Sequence, residues 1–388
     1  MKIRVHRAQS VATWERAGRW AASAALLVAL SGCAWWGSSK PKPLDLGPNV
    51  VKLDVRQAWT ARIPALKDLS LSTFVRGDVV YVAAADGTVA AINARSGQDV
   101  WRASVGKPLA AGVGSDGVTT AVITKGNQLA GLIDGKLAWR KPLSAGGYSA
   151  PLVAGARVFV MTADRTLHAF DARNGQPLWS QQRTGEPLVL RQPGVLQAHG
   201  NTLLVGMAGR MVAYNPDNGG VLWEAPLASP RGANDVERLV DLVSPTFTDG
   251  NVVCARAFQA SVGCLDVARG QVLWSQTARG SVGVSGDAEL IAGSESNGTV
   301  QAWSRADGKK LWSVDRLQHR RLTAPLLLGR SLIVGDESGV VHVLSKQDGS
   351  HLNRLQTDGS GVATAPVVAA DTLVVVTRNG GVYGFRPD

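Results

Sequence analysis

The sequence predicts an all-β protein, an eight-bladed β-propeller in which each blade is a four-stranded antiparallel sheet. Three observations carry this prediction: tryptophans recur with a period near 40 residues, a glycine lies shortly before nearly all of them, and short apolar runs alternate with turns. Residues 158–180 show one unit, in which two apolar runs, an Asn-Gly turn and a strand closing on Trp179 form a meander. A single meander cannot bury both of its faces, whereas stacked copies can.

The number of blades follows from the residues that close each copy. Successive closing residues are 42, 38, 40, 44, 51, 38 and 41 residues apart, and the last is Asn353 instead of a tryptophan. The first copy has no preceding meander, and the last, residues 373–385, has no closing strand. Pairing the N-terminal strand with the C-terminal sheet would complete an eighth blade and remove two exposed edges. The closing tryptophans are Trp59, Trp101, Trp139, Trp179, Trp223, Trp274 and Trp312.

The chain divides into a signal peptide (residues 1–32), a tether (33–50) and the propeller (51–388). The first 19 residues are basic, the next eleven are apolar or small, and a Leu-Ser-Gly motif then ends at Cys33. An apolar run this short is typical of a secretory signal and is too short for a lasting transmembrane helix. Residues 34–49 are rich in Pro, Ser and Gly, which predicts a flexible segment.

The end of the signal resembles the lipobox of bacterial lipoproteins. That resemblance implies cleavage before Cys33, which then carries the acyl chains, and several chains together give stable anchoring. Ala34 follows the cysteine, where an aspartate would be the signal for retention in the inner membrane. The resemblance therefore implies a lipid-anchored protein on the periplasmic face of the outer membrane of a Gram-negative bacterium. An ordinary signal peptide cut nearby is the alternative.

Composition and motifs argue against several functional classes. The formal charge is +11, but four of these charges lie in the signal and no basic run follows, which argues against nucleic-acid binding. No histidine pair has the spacing of a metal site, and no Gly-x-Ser-x-Gly or Walker-type loop is present. Blades closed by tryptophan resemble the repeat of pyrroloquinoline-quinone enzymes, but the adjacent cysteines of that class are missing. We predict no enzyme, no cofactor and no metal ion, with a quinone-dependent periplasmic enzyme as the alternative.

Two cysteines lie in the propeller. Cys254 and Cys264 flank a predicted hairpin and could face each other across it, and an oxidising periplasm permits a disulfide. Cys264 also falls in a column of mostly small residues in the third strand of each blade, where it would act as a slightly larger alanine. Both interpretations stay open. The column consists of Ala91, Gly131, Ala169, Ala213, Cys264, Ala302, Val343 and Gly384.

Partner binding is expected where the repeat is interrupted. The longest spacing, 51 residues, contains the charged segment 228–245, and the preceding blade has an irregular segment at 186–191. Leucine and arginine beside carboxylates suit a protein interface better than a small-molecule pocket. These two segments are therefore the predicted binding surface.

With these segments the chain resembles the BamB family, the lipoprotein subunits of the outer-membrane β-barrel assembly machinery. The resemblance spans the chain after Cys33 and rests on the lipobox, the Pro-rich tether, the eight blades, Leu-x-Leu-Arg before one blade and Glu-Arg-Leu-x-Asp before the next. In that family both loops lie on one face of the ring and bind the POTRA repeats of BamA, the central barrel subunit. Val243 stands where the family often has a second acidic residue. The implied contact residues are Leu188, Leu190, Arg191, Arg238, Leu239 and Asp241.

The resemblance implies a non-catalytic scaffold. It would bind BamA, and through BamA the other subunits of the machinery, and would assist the insertion of β-barrel proteins. Exposed blade edges would also take up strands of unfolded outer-membrane proteins by β-augmentation. A propeller that serves a different envelope complex is the remaining alternative.

Overall fold

Thirty-two strands form eight antiparallel sheets of four strands each, which confirms the predicted fold class and the number of blades. The structure is a computed structural model that describes residues 41–67, 69, 71–184, 188–230, 233–235 and 238–387. These residues contain no α-helix, and so none that could cross a membrane. The signal peptide and Cys33 lie outside the described residues.

The strands follow one another in chain order with short connections. They are β1 (Val55–Arg62), β2 (Phe74–Arg76), β3 (Val79–Ala83), β4 (Thr88–Asn93), β5 (Asp99–Ser104), β6 (Gly114–Ser115), β7 (Thr119–Ile123), β8 (Gln128–Ile133), β9 (Lys136–Pro142), β10 (Leu152–Ala154), β11 (Arg157–Met161), β12 (Thr166–Asp171), β13 (Pro177–Gln182), β14 (Leu196–His199), β15 (Thr202–Met207), β16 (Arg210–Tyr214), β17 (Val221–Pro226), β18 (Leu242–Asp249), β19 (Val252–Ala257), β20 (Ser261–Asp266), β21 (Gln271–Thr277), β22 (Val284–Gly286), β23 (Leu290–Ser294), β24 (Val300–Ser304), β25 (Lys310–Val314), β26 (Leu326–Leu328), β27 (Ser331–Gly335), β28 (Val340–Ser345), β29 (His351–Gln356), β30 (Val367–Ala369), β31 (Thr372–Val376) and β32 (Gly381–Pro387).

Blades 1 to 7 are consecutive groups of four strands, from β2–β5 to β26–β29, and blade 8 joins the two ends of the chain. Its strand order is β1-β32-β31-β30, and β1 pairs antiparallel with β32 from Val55 opposite Pro387 to Arg62 opposite Gly381. The predicted closure by pairing of the N- and C-terminal strands is thus confirmed. It hydrogen-bonds the edge that β32 would otherwise expose.

The second strands are buried on both faces because each blade packs between two neighbours. In β7 and β27 every residue is buried, whereas the outer strand β5 alternates between exposed and half-buried residues. The position of a strand in the sheet therefore determines its sequence pattern. Strands in the middle of a blade are continuous apolar runs, and outer strands alternate between more and less exposed residues.

The column of small residues makes room for the closing tryptophans. Ala169 lies directly opposite Trp179 across the β12–β13 pair, and the other small residues lie opposite their own blade's tryptophan. A Cβ atom added at Gly131 would collide with the Trp139 ring. Blade 7 has the larger Val343 at this position, opposite Asn353.

Each closing tryptophan also rests on the next blade. The ring of Trp139 packs on Gly175 in the last turn of blade 3, and its indole Nε1 donates a hydrogen bond to the carbonyl oxygen of Ala172 at 3.1 Å. Gly175 has φ +69°, a left-handed conformation in which a side chain would be strained and would also strike the ring. The glycines that precede the closing residues of blades 1 to 7 are therefore seats for the tryptophan of the preceding blade. The seats are Gly97, Gly135, Gly175, Gly219, Gly270, Gly308 and Gly349.

Blade 7 has no tryptophan because blade 8 has no equivalent last turn. The start of β1 and the end of β32 lie there instead. Leu53 takes the place of the seat, and its carbonyl oxygen accepts a hydrogen bond from Asn353 Nδ2 at 2.9 Å. Residues 44–53 lie along blades 6 and 7, and Lys52 N donates to Leu352 O at 2.8 Å. The end of the predicted flexible tether is therefore docked on the ring, because its polar backbone finds partners there.

Candidate functional site

The described residues of the two predicted binding segments lie on the same face of the ring, whereas residues 186–187, 231–232 and 236–237 of these segments lie outside the described part of the chain. Residues 183–195 connect β13 to β14, and residues 227–241 connect β17 to β18. A blade of four antiparallel strands begins and ends at the same end of its strands, so every connection between blades lies on one face. We call this the loop face, and it also carries the turn between the second and third strand of each blade.

Asp241 joins the two segments. Its Oδ1 accepts a hydrogen bond from Ala208 N at 2.8 Å, and its Oδ2 accepts one from Leu190 N at 3.4 Å. The Arg165 guanidinium lies 3.5 Å from Oδ1, and its other terminal nitrogen donates to Leu188 O at 3.0 Å. We call this arrangement the loop junction. The Asp241 side chain is only 15% exposed, so its carboxylate holds the loops together from beneath.

Arg165 was not identified as a site residue from the sequence, although a signal was present. It occupies the turn position at which other blades use a left-handed glycine such as Gly87, Gly298 or Gly339. Arg165 has φ 59° there, a conformation that disfavours a bulky side chain. An arginine at a position that favours glycine therefore indicates that this side chain is kept for the contacts it makes.

Leu188 and Arg191 form the accessible part of the first loop. The Leu188 side chain is 40% exposed, and the exposed Arg191 guanidinium lies 5.4 Å from the centre of the Tyr148 ring. Leu190 is half-buried and lines a hollow between the loops and blades 3 to 5. The sequence did not identify Tyr148, which belongs to the connection before blade 3.

Arg238 and Leu239 belong to the second loop and are half-buried. Arg238 N donates to Asn234 O at 3.2 Å, which makes one turn of chain before the strand begins. Val243 is buried, forms a β-bridge with Gly194 and pairs with Arg256 in β19. An acidic side chain at 243 would be desolvated in this structure.

Cys254 and Cys264 are directly opposite each other in the β19–β20 pair, with Cα atoms 4.0 Å apart, and are disulfide-bonded in the structure. Both side chains are buried, and Cys264 also lies opposite Trp274. The two sequence interpretations of Cys264 are therefore compatible, since a bonded cysteine still leaves room for the ring.

The electrostatics of the loop face near the site are those of a structural turn. Burial alone would raise the pKa of Asp164, but hydrogen bonds from Thr162, Ser144 and Thr166 lower it. In the described part of the chain no group of three or more His, Cys, Asp or Glu residues could hold a metal ion.

Comparisons with known proteins agree on one family. The family model described as outer membrane protein assembly factor BamB matches residues 85–314 and 306–388. A protein of that name from Burkholderia pseudomallei is 39% identical over 94% of this chain and 97% of its own length. One from Bordetella pertussis is 35% identical over 96% and 97%.

Solved structures show the same fold. The crystal structure of BamB from Moraxella catarrhalis matches with a TM-score of 0.78 and 24% identity, over 86% of this chain and 99% of that one. A quinohemoprotein alcohol dehydrogenase from Comamonas testosteroni matches with a TM-score of 0.65 and 15% identity, over 86% and 76%. At these identities both likenesses establish the propeller alone.

Proposed function

The chain belongs to the BamB family of outer membrane protein assembly factors, and from this membership we propose that it docks on the POTRA repeats of BamA through the loop junction. The observation that carries the proposal is that Asp241 and Arg165 join two loops from different blade connections into one surface. Leu188 and Arg191 lie accessible on that surface, and arginine is one of the residue types enriched in binding hot spots.

The relatives are named outer membrane protein assembly factors, and this chain would act as a non-catalytic scaffold of that kind. The pyrroloquinoline-quinone alternative rested on the blade repeat, which the dehydrogenase structures share as a fold. The function of this chain as a scaffold would therefore depend on its surface, so each contact with another subunit has to be assigned to particular residues.

The contact residues divide into two roles. Leu188, Arg191 and the accessible parts of Arg238 and Leu239 would touch the partner, whereas Asp241 would act indirectly by positioning the first loop. Leu190 lines the hollow, so it would contact the partner only where an apolar side chain of the partner enters that hollow.

The test is affinity for a soluble POTRA fragment of BamA. Leu188→Asp combined with Arg191→Glu should weaken binding at least about tenfold, because the first change removes an apolar contact and the second reverses a charge. Leu311→Asp combined with Arg173→Glu is the matched control, since both residues are exposed and lie away from the loops. Equal affinities of the two double variants would count against the surface.

We also propose that Cys33 is acylated and anchors the protein in the outer membrane, facing the periplasm. The support is the Leu-Ser-Gly-Cys motif after the apolar run, together with Ala34 after the cysteine. Radiolabelled palmitate should be incorporated by the wild type and not by Cys33→Ser. Label in the variant would place the acyl chains elsewhere.

Contact with unfolded outer-membrane proteins is supported at two blade edges. Of the eight outer strands, all within the described residues, only β13 and β21 carry no charged side chain or histidine. Charged residues are what natural edges use to prevent strand pairing. Leu178 on β13 and Leu273 on β21 are about half exposed, at 48% and 50%. We propose that β21, which also lacks proline, receives an extended strand of the substrate by β-augmentation.

Photo-cross-linking tests this edge directly. A photoreactive residue at Leu273 should capture an unfolded barrel protein, whereas one at Leu311, equally exposed on the lysine-bearing β25, should not. Adding a charge with Gln276→Lys should reduce capture at 273. Equal capture at both positions, or capture only of a second copy of this chain, would refute the assignment.

A further inference from the structure

The segment before the first strand is bound to the loop face. Arg316 Nη2 donates to Leu46 O at 2.9 Å, and Arg320 Nη2 donates to Leu44 O at 2.9 Å. Leu46 itself packs against the apolar cluster of blades 6 and 7, where it meets Leu317. Both arginines belong to the connection between β25 and β26, which lies on the loop face.

The segment then continues along the outer strand of blade 7. Arg354 Nη2 donates to Gly47 O at 2.7 Å, and Asn49 Nδ2 donates to Asn353 Oδ1 at 3.1 Å. His351 Nε2 lies 3.0 Å from Asn49 Oδ1. Side chains of five residues of the ring thus bind the backbone or side chains of residues 44–49.

We infer that residues 44–53 are a strap that determines where the membrane tether leaves the ring. A free segment from Cys33 to Val55 would reach about 75 Å when extended, whereas a segment that ends at a bound Leu44 reaches about 40 Å. The strap therefore halves the distance that the ring can move from its anchor. It also places the exit of the tether on the loop face, at blades 6 and 7.

This inference rests on the proposed acylation of Cys33 and adds an interaction surface for the membrane. The rim of blades 6 and 7 on the loop face is kept nearest to the lipid, and the loop junction, on blades 3 to 5, shares that face. A partner bound at the loop junction would therefore lie on the same side of the ring as the membrane. A freely rotating ring would not have this preference.

Hydrogen exchange tests whether the strap is bound, in a form of the protein that needs no lipid. The amide of Lys52, which is bonded to Leu352 O, should exchange slowly in the wild type and about tenfold faster in Asn49→Ala combined with Arg354→Ala. Arg330→Ala, an exposed arginine on the opposite face of blade 7, is the control and should leave exchange unchanged. Fast exchange in the wild type would overturn the strap.

Fluorescence quenching by labelled lipids tests the orientation of the acylated protein on vesicles. A probe at Arg321→Cys, on the loop face, should be quenched at least about twofold more than one at Arg330→Cys. Arg316→Ala combined with Arg320→Ala, which removes the bonds to Leu46 O and Leu44 O that place the exit of the tether, should abolish the difference. Equal quenching with a slowly exchanging strap would overturn the orientation alone. A chain that fails to bind vesicles because Cys33 carries no lipid would overturn the anchor and the membrane surface together.

Discussion

Replacing Asp241 with asparagine should loosen the first loop without removing any residue that touches the partner. The carboxylate accepts hydrogen bonds from Ala208 N and Leu190 N and pairs with Arg165, and all three partners are donors. An asparagine can accept at one atom only and would turn its amide hydrogens toward the remaining donors. The variant therefore isolates the positioning role from direct contact.

The expected loss follows from the number and burial of these contacts. Hydrogen bonds to a charged group contribute about 1.5–3 kcal/mol, and this carboxylate is largely shielded from water, so the free energy of unfolding should fall by about 2 kcal/mol. Chemical denaturation measures that loss. Hydrogen exchange should show faster exchange at Leu190, and affinity for the POTRA fragment should fall even though Leu188 and Arg191 are intact.

Asp217→Asn is the matched control for this prediction. Asp217 pairs with Arg157 at the surface and is 58% exposed, so its loss should cost less than about 1 kcal/mol and leave binding unchanged. If Asp241→Asn kept both the exchange rate at Leu190 and the affinity for the fragment, Asp241 would not position the loop.

Three further predictions concern the ring itself. Replacing Cys254 and Cys264 with alanine should lower the free energy of unfolding by about 2–3 kcal/mol, because the disulfide closes a loop of ten residues. Two thiols that can be alkylated in the wild type without reductant would contradict this prediction. Chemical denaturation should show that Trp139→Ala lowers the free energy of unfolding by about 3–5 kcal/mol. Trp139→Phe, which mainly loses the indole hydrogen bond, should lower it by only about 1–2 kcal/mol. Equal losses in the two variants would argue against the packing of the ring on its glycine seat. Burial alone would raise the pKa of Asp336, but hydrogen bonds, chiefly from His342, lower it to about 2, below its unfolded value. The carboxylate therefore contributes about 2 kcal/mol above pH 4 that is lost as the pH falls toward 2, and Asp336→Asn should flatten that part of the curve; an unchanged slope would contradict it.

The repeat made the ring predictable because one physical requirement recurs in every blade. A tryptophan needs a small residue beneath it and a glycine in the next blade, so Trp139, Gly131 and Gly175 are already correlated in the sequence. Blade number and closure follow from counting such positions. The sequence gives the positions of the seats, although their purpose becomes visible only when the neighbouring blade is in place.

The candidate site was less predictable because its contacts join segments far apart in the chain. Arg165 and Asp241 are separated by 76 residues, and no periodic pattern links them. Because such contacts leave no pattern in the sequence, Asp241 was expected on the surface and the bound strap was expected to be flexible. The strap has the composition of a linker, and it has binding partners only because the folded ring places Arg316 and Arg354 beside it.

The seating of each tryptophan on the following blade has a consequence for how such a ring could arise and be rebuilt. A stretch that runs from a closing tryptophan to the glycine turn of the next blade carries both halves of one interlock, so copies of it can pack on one another in series. At the junction of blades 7 and 8 Asn353 stands in place of the tryptophan, and residues 387 and 55 face each other where a glycine turn would lie. A ring opened between two other blades would have to break a tryptophan–glycine interlock, whereas the present opening lies at the described junction that has none.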